Sequence, residues 1–261
     1  MLPLHFAVDY LSYRLKSFKL HGVHSPFIFN LYRNVILHDG DYYAYSQIET
    51  LREKLLQDNS ALQITDLGAG SVTGNSVNRK VKELAQNSAK PPKYAQLLFR
   101  LANHFQPQVV FDLGTSLGLT TSYLAKACKK ASIYSFEGCA NISRVAKDNF
   151  KQLKLKNIRL IEGNLDTTLM QQLQKIERLD FVFFDGNHRH EPTMCYFNAC
   201  LQKKHELSVF VVDDIYWSKE MKQAWQEIKK HPEVLQTVDL FFVGLVFFRH
   251  QQPKEHFILK F

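Results

Sequence analysis

The 261-residue chain is predicted to fold as an α/β protein with a mainly parallel sheet, and three observations predict it. From residue 107 onward, short β-rich apolar runs alternate strictly with amphipathic segments of helical length. The last two apolar runs stand too close together to hold a helix between them. Before residue 107 the chain has helical periods and no such alternation.

The alternating runs are Val109 to Leu113, Ser132 to Phe136, Ile158 to Glu162, Asp180 to Asp185 and Ser208 to Asp213. Helices are expected between them near residues 118–130, 141–153, 166–177, 191–205 and 218–230. Such alternation argues for right-handed βαβ units and a sheet covered on both faces. "TVDLFF" and "LVFFRH" lie either side of Val243 and Gly244 and read as an antiparallel hairpin. Residues 1–106 read as a helical attachment, with helices near 4–19, 26–37, 46–57, 76–87 and 92–104, and residues 107–261 as the α/β domain. The breaks "HGVHSP", "HDGDYY" and "NSAKPP" separate the early helices.

With 45% hydrophobic content the chain can bury a substantial core. The strongest apolar stretch, Leu240 to Phe248, is about half the ~18 residues of a membrane span, so no membrane partner is expected. Asp9 and Arg14 interrupt the first apolar segment, which does not read as an export signal. Cys128, Cys139, Cys195 and Cys200 form no CxxC pair, and free thiols in a reducing cytoplasm are the simplest account. The net charge of +8 is spread evenly: residues 1–106 hold 12 basic and 8 acidic residues, and the remainder hold 21 and 17. A nucleic-acid partner is therefore not favoured, since no dense basic stripe is present. Composition leaves the oligomeric state open.

Two stretches resemble the start of a nucleotide site, "ITDLGAGS" (64–71) and "VFDLGTSLG" (110–118). Such a site needs a buried strand, a turn without bulky side chains, a helix N-terminus, and an acid at the end of the next strand for the ribose hydroxyls. The second stretch meets all four demands: Gly114 and Gly118 make the turn, "LTTSYLAKACKK" the helix, and Glu137 follows Asp112 by 25 positions. The first fails, because Glu83, its only suitably spaced acid, lies in "NRKVKELA", which has helical periodicity and no strand before it. It is expected to be a glycine turn between helices, and a hypothesis places Gly68 and Gly70 over the acceptor side of the pocket.

At "VVFDLGTSLGLTTSYLA" with Glu137 downstream, the chain resembles class I S-adenosylmethionine-dependent methyltransferases over residues 107–261. The resemblance implies a Rossmann-like sheet ending in an antiparallel hairpin, with S-adenosylmethionine as cofactor. It implies that Gly114, Thr115, Ser116 and Gly118 line the methionine part of the cofactor, that Glu137 holds the ribose, that Asn164 lies near the adenine, and that Asp112 and Gly138 also belong to the cofactor-binding set. "HGVHSPFIFNLY", "DGNHRHEPT" and "DDIYWSKEMKQAW" also resemble an uncharacterised bacterial family of this fold.

The fourth predicted strand ends "FFDGNHRH" and the fifth "VVDDIYW". In parallel α/β sheets ligands bind beyond the carboxyl ends of strands, so Asp185, Asp213 and Asp214 are expected at a pocket. Carboxylates brought together repel unless protons or a cation compensate, and oxygen ligands suit Mg2+, Ca2+ or Mn2+. The pattern is similar to metal-dependent O-methyltransferases of the catechol and caffeoyl-coenzyme A type and to macrolide sugar O-methyltransferases. That similarity implies Asp185, Asp213 and Asp214 as metal ligands, with Asp185 also at the cofactor. His188 occupies the place of the catechol type's lysine base, and an imidazole is suited to accept a proton near neutral pH. The alternative is that Asp213 caps the helix starting near Ser218 and no metal is present. The expected acceptor is a small hydroxylated molecule; the rivals are an RNA or protein methyltransferase and a non-catalytic cofactor-binding protein.

Overall fold

The computed structural model describes residues 4–64 and 78–261, so the turn predicted at Asp66 to Ser71 lies outside the described residues. The chain divides into two compact units, one of residues 39–175 and one of residues 1–38 with 176–261. The described part is α/β with a mostly parallel Rossmann-like arrangement. No helix among the described residues is long and apolar enough to cross a membrane.

In the unit of residues 39–175, α3 (Tyr43–Gln57) leads to a small antiparallel pair, β1 (Ala61–Gln63) and β2 (Asn78–Lys80). Residues 78–80 were expected to be helical. They form a strand instead, and α4 (Val81–Asn87) begins only after it, its first turn held by the Glu83 carboxylate accepting from the Lys80 N–H. Thus the first glycine stretch is flanked by two strands rather than by helices. After α5 (Pro92–Phe105) come β3 (Val109–Leu113), α6 (Leu119–Ala127), β4 (Ser132–Glu137), α7 (Ala140–Gln152), β5 (Ile158–Glu162) and α8 (Leu165–Leu173). The strands pair in parallel in the order β3-β4-β5. Buried strands of apolar residues need helices on their faces, and the alternating helices supply them.

The other unit opens with α1 (Leu4–Lys16) and α2 (Pro26–Leu31), which continues as one wider π turn over Tyr32–Ile36. Ser25 caps α2 by accepting from the Ile28 N–H. Then follow β6 (Phe181–Phe184), α9 (His190–Leu201), β7 (Val209–Asp213), α10 (Lys219–Lys230), β8 (Gln236–Asp239), β9 (Val243–Phe247) and β10 (Glu255–Ile258). β6 and β7 are parallel, whereas β9 pairs antiparallel with both β7 and β8. The predicted hairpin is therefore present, with its turn at residues 240–242 rather than at Val243 and Gly244. Gly244 lies inside β9 because a Cβ there would stand 2.6 Å from the Trp225 ring, which fills the space above the strand. β10, parallel to β8, had no counterpart in the sequence reading.

Candidate functional site

The glycine turn after β3 is fixed from both sides by the chain itself. Gly114 N–H and Thr115 N–H both donate to the Phe136 carbonyl, at 3.2 and 2.9 Å. Glu137 then uses its two carboxylate oxygens separately, one accepting from Ser116 N–H at 2.9 Å and the other from Cys139 N–H at 2.9 Å. Charge-assisted bonds of this kind are stronger than neutral ones. They let Ser116 hold φ +48°, a conformation that L residues rarely adopt. Gly118 has φ +79°, and a Cβ on it would meet the Phe150 ring at 2.5 Å, so only glycine fits. Asn149 donates to the Leu117 carbonyl and ties α7 to the same turn.

Asp112 lies beneath this turn. It is fully buried, and one carboxylate oxygen accepts from the hydroxyls of Thr121 (2.5 Å) and Ser135 (2.9 Å). Ser135 also shares a hydrogen bond with the Thr115 hydroxyl, so the buried acid connects to the turn through β4. Burial pushes the Asp112 carboxyl up to about 6, against the lowering effect of its two hydroxyl partners, with Glu137 adding to the rise. Asn164 caps α8, its side chain accepting from the Asp166 N–H at 2.9 Å. Thr121 and Ser135 were missed by the sequence reading. The available signal was register, since Ser135 stands directly opposite Asp112 across the β3–β4 pair.

In the other unit, β6 and β7 run parallel and end on acids. Asp213 is the last residue of β7 and is fully buried. Asp185 follows β6, and the tight turn after it, with Asn187 at φ +54°, returns His188 toward it. His188 Nε2 lies 3.4 Å from Asp185 Oδ1. One ligand atom each from Asp185, His188 and Asp213 lie within 4.8 Å of one another, and this is the group of that kind among the described residues. Asp214, expected in the metal set, is the next residue along at φ +51°, with its N–H donating to the Phe242 carbonyl; it is outside that trio. Burial of His188 works to lower its pKa, but Asp185, then Asp214 and Asp213, outweigh this and leave it raised. Ser218, not Asp213, caps α10, accepting from the Met221 N–H at 3.1 Å.

Other aromatic and histidine side chains of this unit have structural partners. Trp225 donates to Asp239 (3.2 Å) from the core, and the Tyr216 hydroxyl reaches the same carboxylate (2.9 Å). His205 pairs with Asp180 and His190 with Glu227.

Two carboxylates and an imidazole at this separation form a mixed oxygen and nitrogen donor set that fits a divalent cation such as Mg2+ or Mn2+. The turn after β3 has features of a cofactor loop: glycines at positive φ and an acid on the neighbouring strand.

Residues 111–215 match the model of a family described as a methyltransferase domain. No curated protein matches the chain. Solved structures share its fold. A Podospora anserina methyltransferase bound to S-adenosylhomocysteine superposes with TM-score 0.59 at 13% identity, covering 95% of this chain and 98% of its own. A Bacillus cereus O-methyltransferase in complex with the same product gives 0.53 at 16%, covering 83% and 94%. An O-methyltransferase of tomaymycin synthesis from Streptomyces achromogenes, in complex with S-adenosylmethionine, gives 0.57 at 16%, covering 84% and 95%. The fold is therefore the one these solved methyltransferases share, and residues 111–215 match a methyltransferase domain.

Proposed function

We propose that this protein transfers the methyl group of S-adenosylmethionine to a hydroxyl oxygen of a small acceptor, with a divalent cation assisting. The observation that carries the reading is the convergence of Asp185, His188 and Asp213 after two adjacent parallel strands. The matching methyltransferase domain, which contains both the glycine turn and these three residues, supports it.

Each residue then has a role in its own chemistry. The backbone of Gly114 to Gly118 and the Glu137 carboxylate bind the methyl donor, and their hydrogen bonds hold that surface in shape before any ligand arrives. When bound, S-adenosylmethionine supplies an electrophilic methyl and the cation lowers the pKa of the acceptor hydroxyl. Asp185 and Asp213 would hold the cation, with Asp214 adding negative charge beside them. His188 accepts the acceptor's proton, and Asp185, 3.4 Å away, stabilises the resulting imidazolium. The same nitrogen stands within ligand range, and one variant separates the two roles. If His188 is the base, His188→Gln loses turnover and keeps its cation affinity; if it is a ligand, cation affinity falls as well. The four free cysteines, three of them buried, accord with a cytoplasmic setting.

Titration calorimetry with S-adenosylmethionine and with S-adenosylhomocysteine, each with and without Mg2+ or Mn2+, tests the whole reading. Binding of neither nucleoside overturns it. Nucleoside binding with no cation binding overturns the metal assistance alone.

A further inference from the structure

Helix α1 has two opposed faces. One face packs inward: Phe6 and Tyr13 are buried against Phe241, and the Tyr13 hydroxyl donates to the Leu259 carbonyl at 2.5 Å. The opposite face carries Val8, Leu11 and Leu15, which are 61%, 61% and 79% exposed, and Phe18, just past the helix, is 54% exposed. The spacing of Val8, Leu11 and Leu15, i, i+3 and i+7, places these three on a single stripe of the helix, and Phe18 follows where the chain leaves it. At about 100° per residue Arg14 and Lys16 fall on either side of that stripe, and Lys19 follows Phe18. Lys260 joins them at the same end, its N–H donating to the Phe18 carbonyl. Asp9, the acid of this helix, is engaged with Lys222 at 2.7 Å and does not offset the cations.

We propose that this stripe docks α1 on an anionic lipid surface, lying in the plane of the interface. The apolar side chains enter the boundary between headgroups and acyl chains, and the long stems of Arg14, Lys16 and Lys19 let their charges stay among the phosphates. Charge complementarity selects this occupant. A second copy packed symmetrically on the stripe would set Arg14, Lys16 and Lys19 near their own equivalents, because a two-fold contact is self-facing. Four apolar side chains are also few beside the ~20 to 30 residues per partner of a specific protein interface. The chain's net charge of +8 favours the same anionic partner.

Co-sedimentation of the full chain with phosphatidylcholine vesicles containing anionic phosphatidylglycerol, and with vesicles of phosphatidylcholine alone, tests the proposal. Binding to the anionic vesicles is expected to be at least about tenfold tighter than to the neutral ones, and to fall as salt is raised. L11E/L15E places charge on exposed positions only, so it should keep the wild-type melting temperature and lose at least about tenfold in vesicle binding. If that variant does not fold, Arg14→Ser with Lys16→Ser and Lys19→Ser decides, by losing the preference for anionic vesicles. Equal binding to both vesicle types, no binding at low salt, or binding that both variants retain overturns the proposal. So does a wild-type dimer in sedimentation velocity that L11E/L15E converts to monomer, because the stripe would then be a contact between copies.

Discussion

The glycine turn after β3 and the acidic group after β6 and β7 solve opposite problems. In the turn, charge is already committed to the backbone: both oxygens of Glu137 accept N–H bonds from the loop they shape. In the acidic group, Asp185, Asp213 and Asp214 bring like charges together, and His188 responds with a raised pKa. One region is organised by hydrogen bonds to its own backbone and the other by the mutual proximity of acids and an imidazole. A loop can thus be shaped by bonds within the chain, whereas clustered carboxylates show their proximity in the raised pKa of the histidine beside them.

That contrast yields a series of measurements. The largest effect is expected from His188→Gln and Asp185→Asn, which should lower turnover by about 10² to 10⁴ while leaving S-adenosylhomocysteine affinity within about twofold, measured by kinetics and calorimetry. Equal losses of product affinity would break the division between the regions. Chelation of divalent ions should mimic these variants in wild type. Next, Glu137→Ala removes two charge-assisted bonds and should weaken nucleoside binding about 100-fold, with cation affinity unchanged.

Asp112 gives a pH signature of the turn. Its folded-state pKa of about 6 lies above the ordinary 3.8, so its contribution to stability is full below about pH 4 and declines as pH rises through about 6. A shift of this size corresponds to about 3 kcal/mol between its protonation states. Denaturant titrations should therefore show wild type losing up to about that much relative to Asp112→Asn between about pH 4 and pH 7. The smallest effect is Ser218→Ala, which should cost about 1 kcal/mol through loss of the α10 cap and leave cation affinity intact.

Sequence made the central elements legible where burial dictated composition. Strands β3, β4, β6 and β7 are apolar runs because helices cover them, and the β8–β9 hairpin showed as two such runs without room between them. It was silent on β1, β2 and β10, whose short, mostly exposed strands "ALQ", "NRK" and "EHFI" carry no buried pattern. For the site, the order of acids and glycines along the chain located both regions. Partnerships were less visible. Asp112 was expected in the cofactor-binding set, and its buried carboxylate is held by hydroxyls from β4 and α6 that no motif announced. Likewise the position of His188 relative to Asp213 depends on the turn at Asn187, whose positive φ has no composition signature. The hydropathy test for a membrane span was also blind to the α1 stripe, which is a matter of one helix face rather than of length.

The split unit carries a consequence for biosynthesis. Tyr13 hydrogen-bonds Leu259, 246 residues later, so the inward face of α1 has no partner until nearly all of the described chain has left the ribosome. Residues 39–175 form a continuous unit and are available to fold long before that. During the interval Phe6 and Tyr13 lack Phe241 and Ile258, which the β8–β9 turn and β10 supply last.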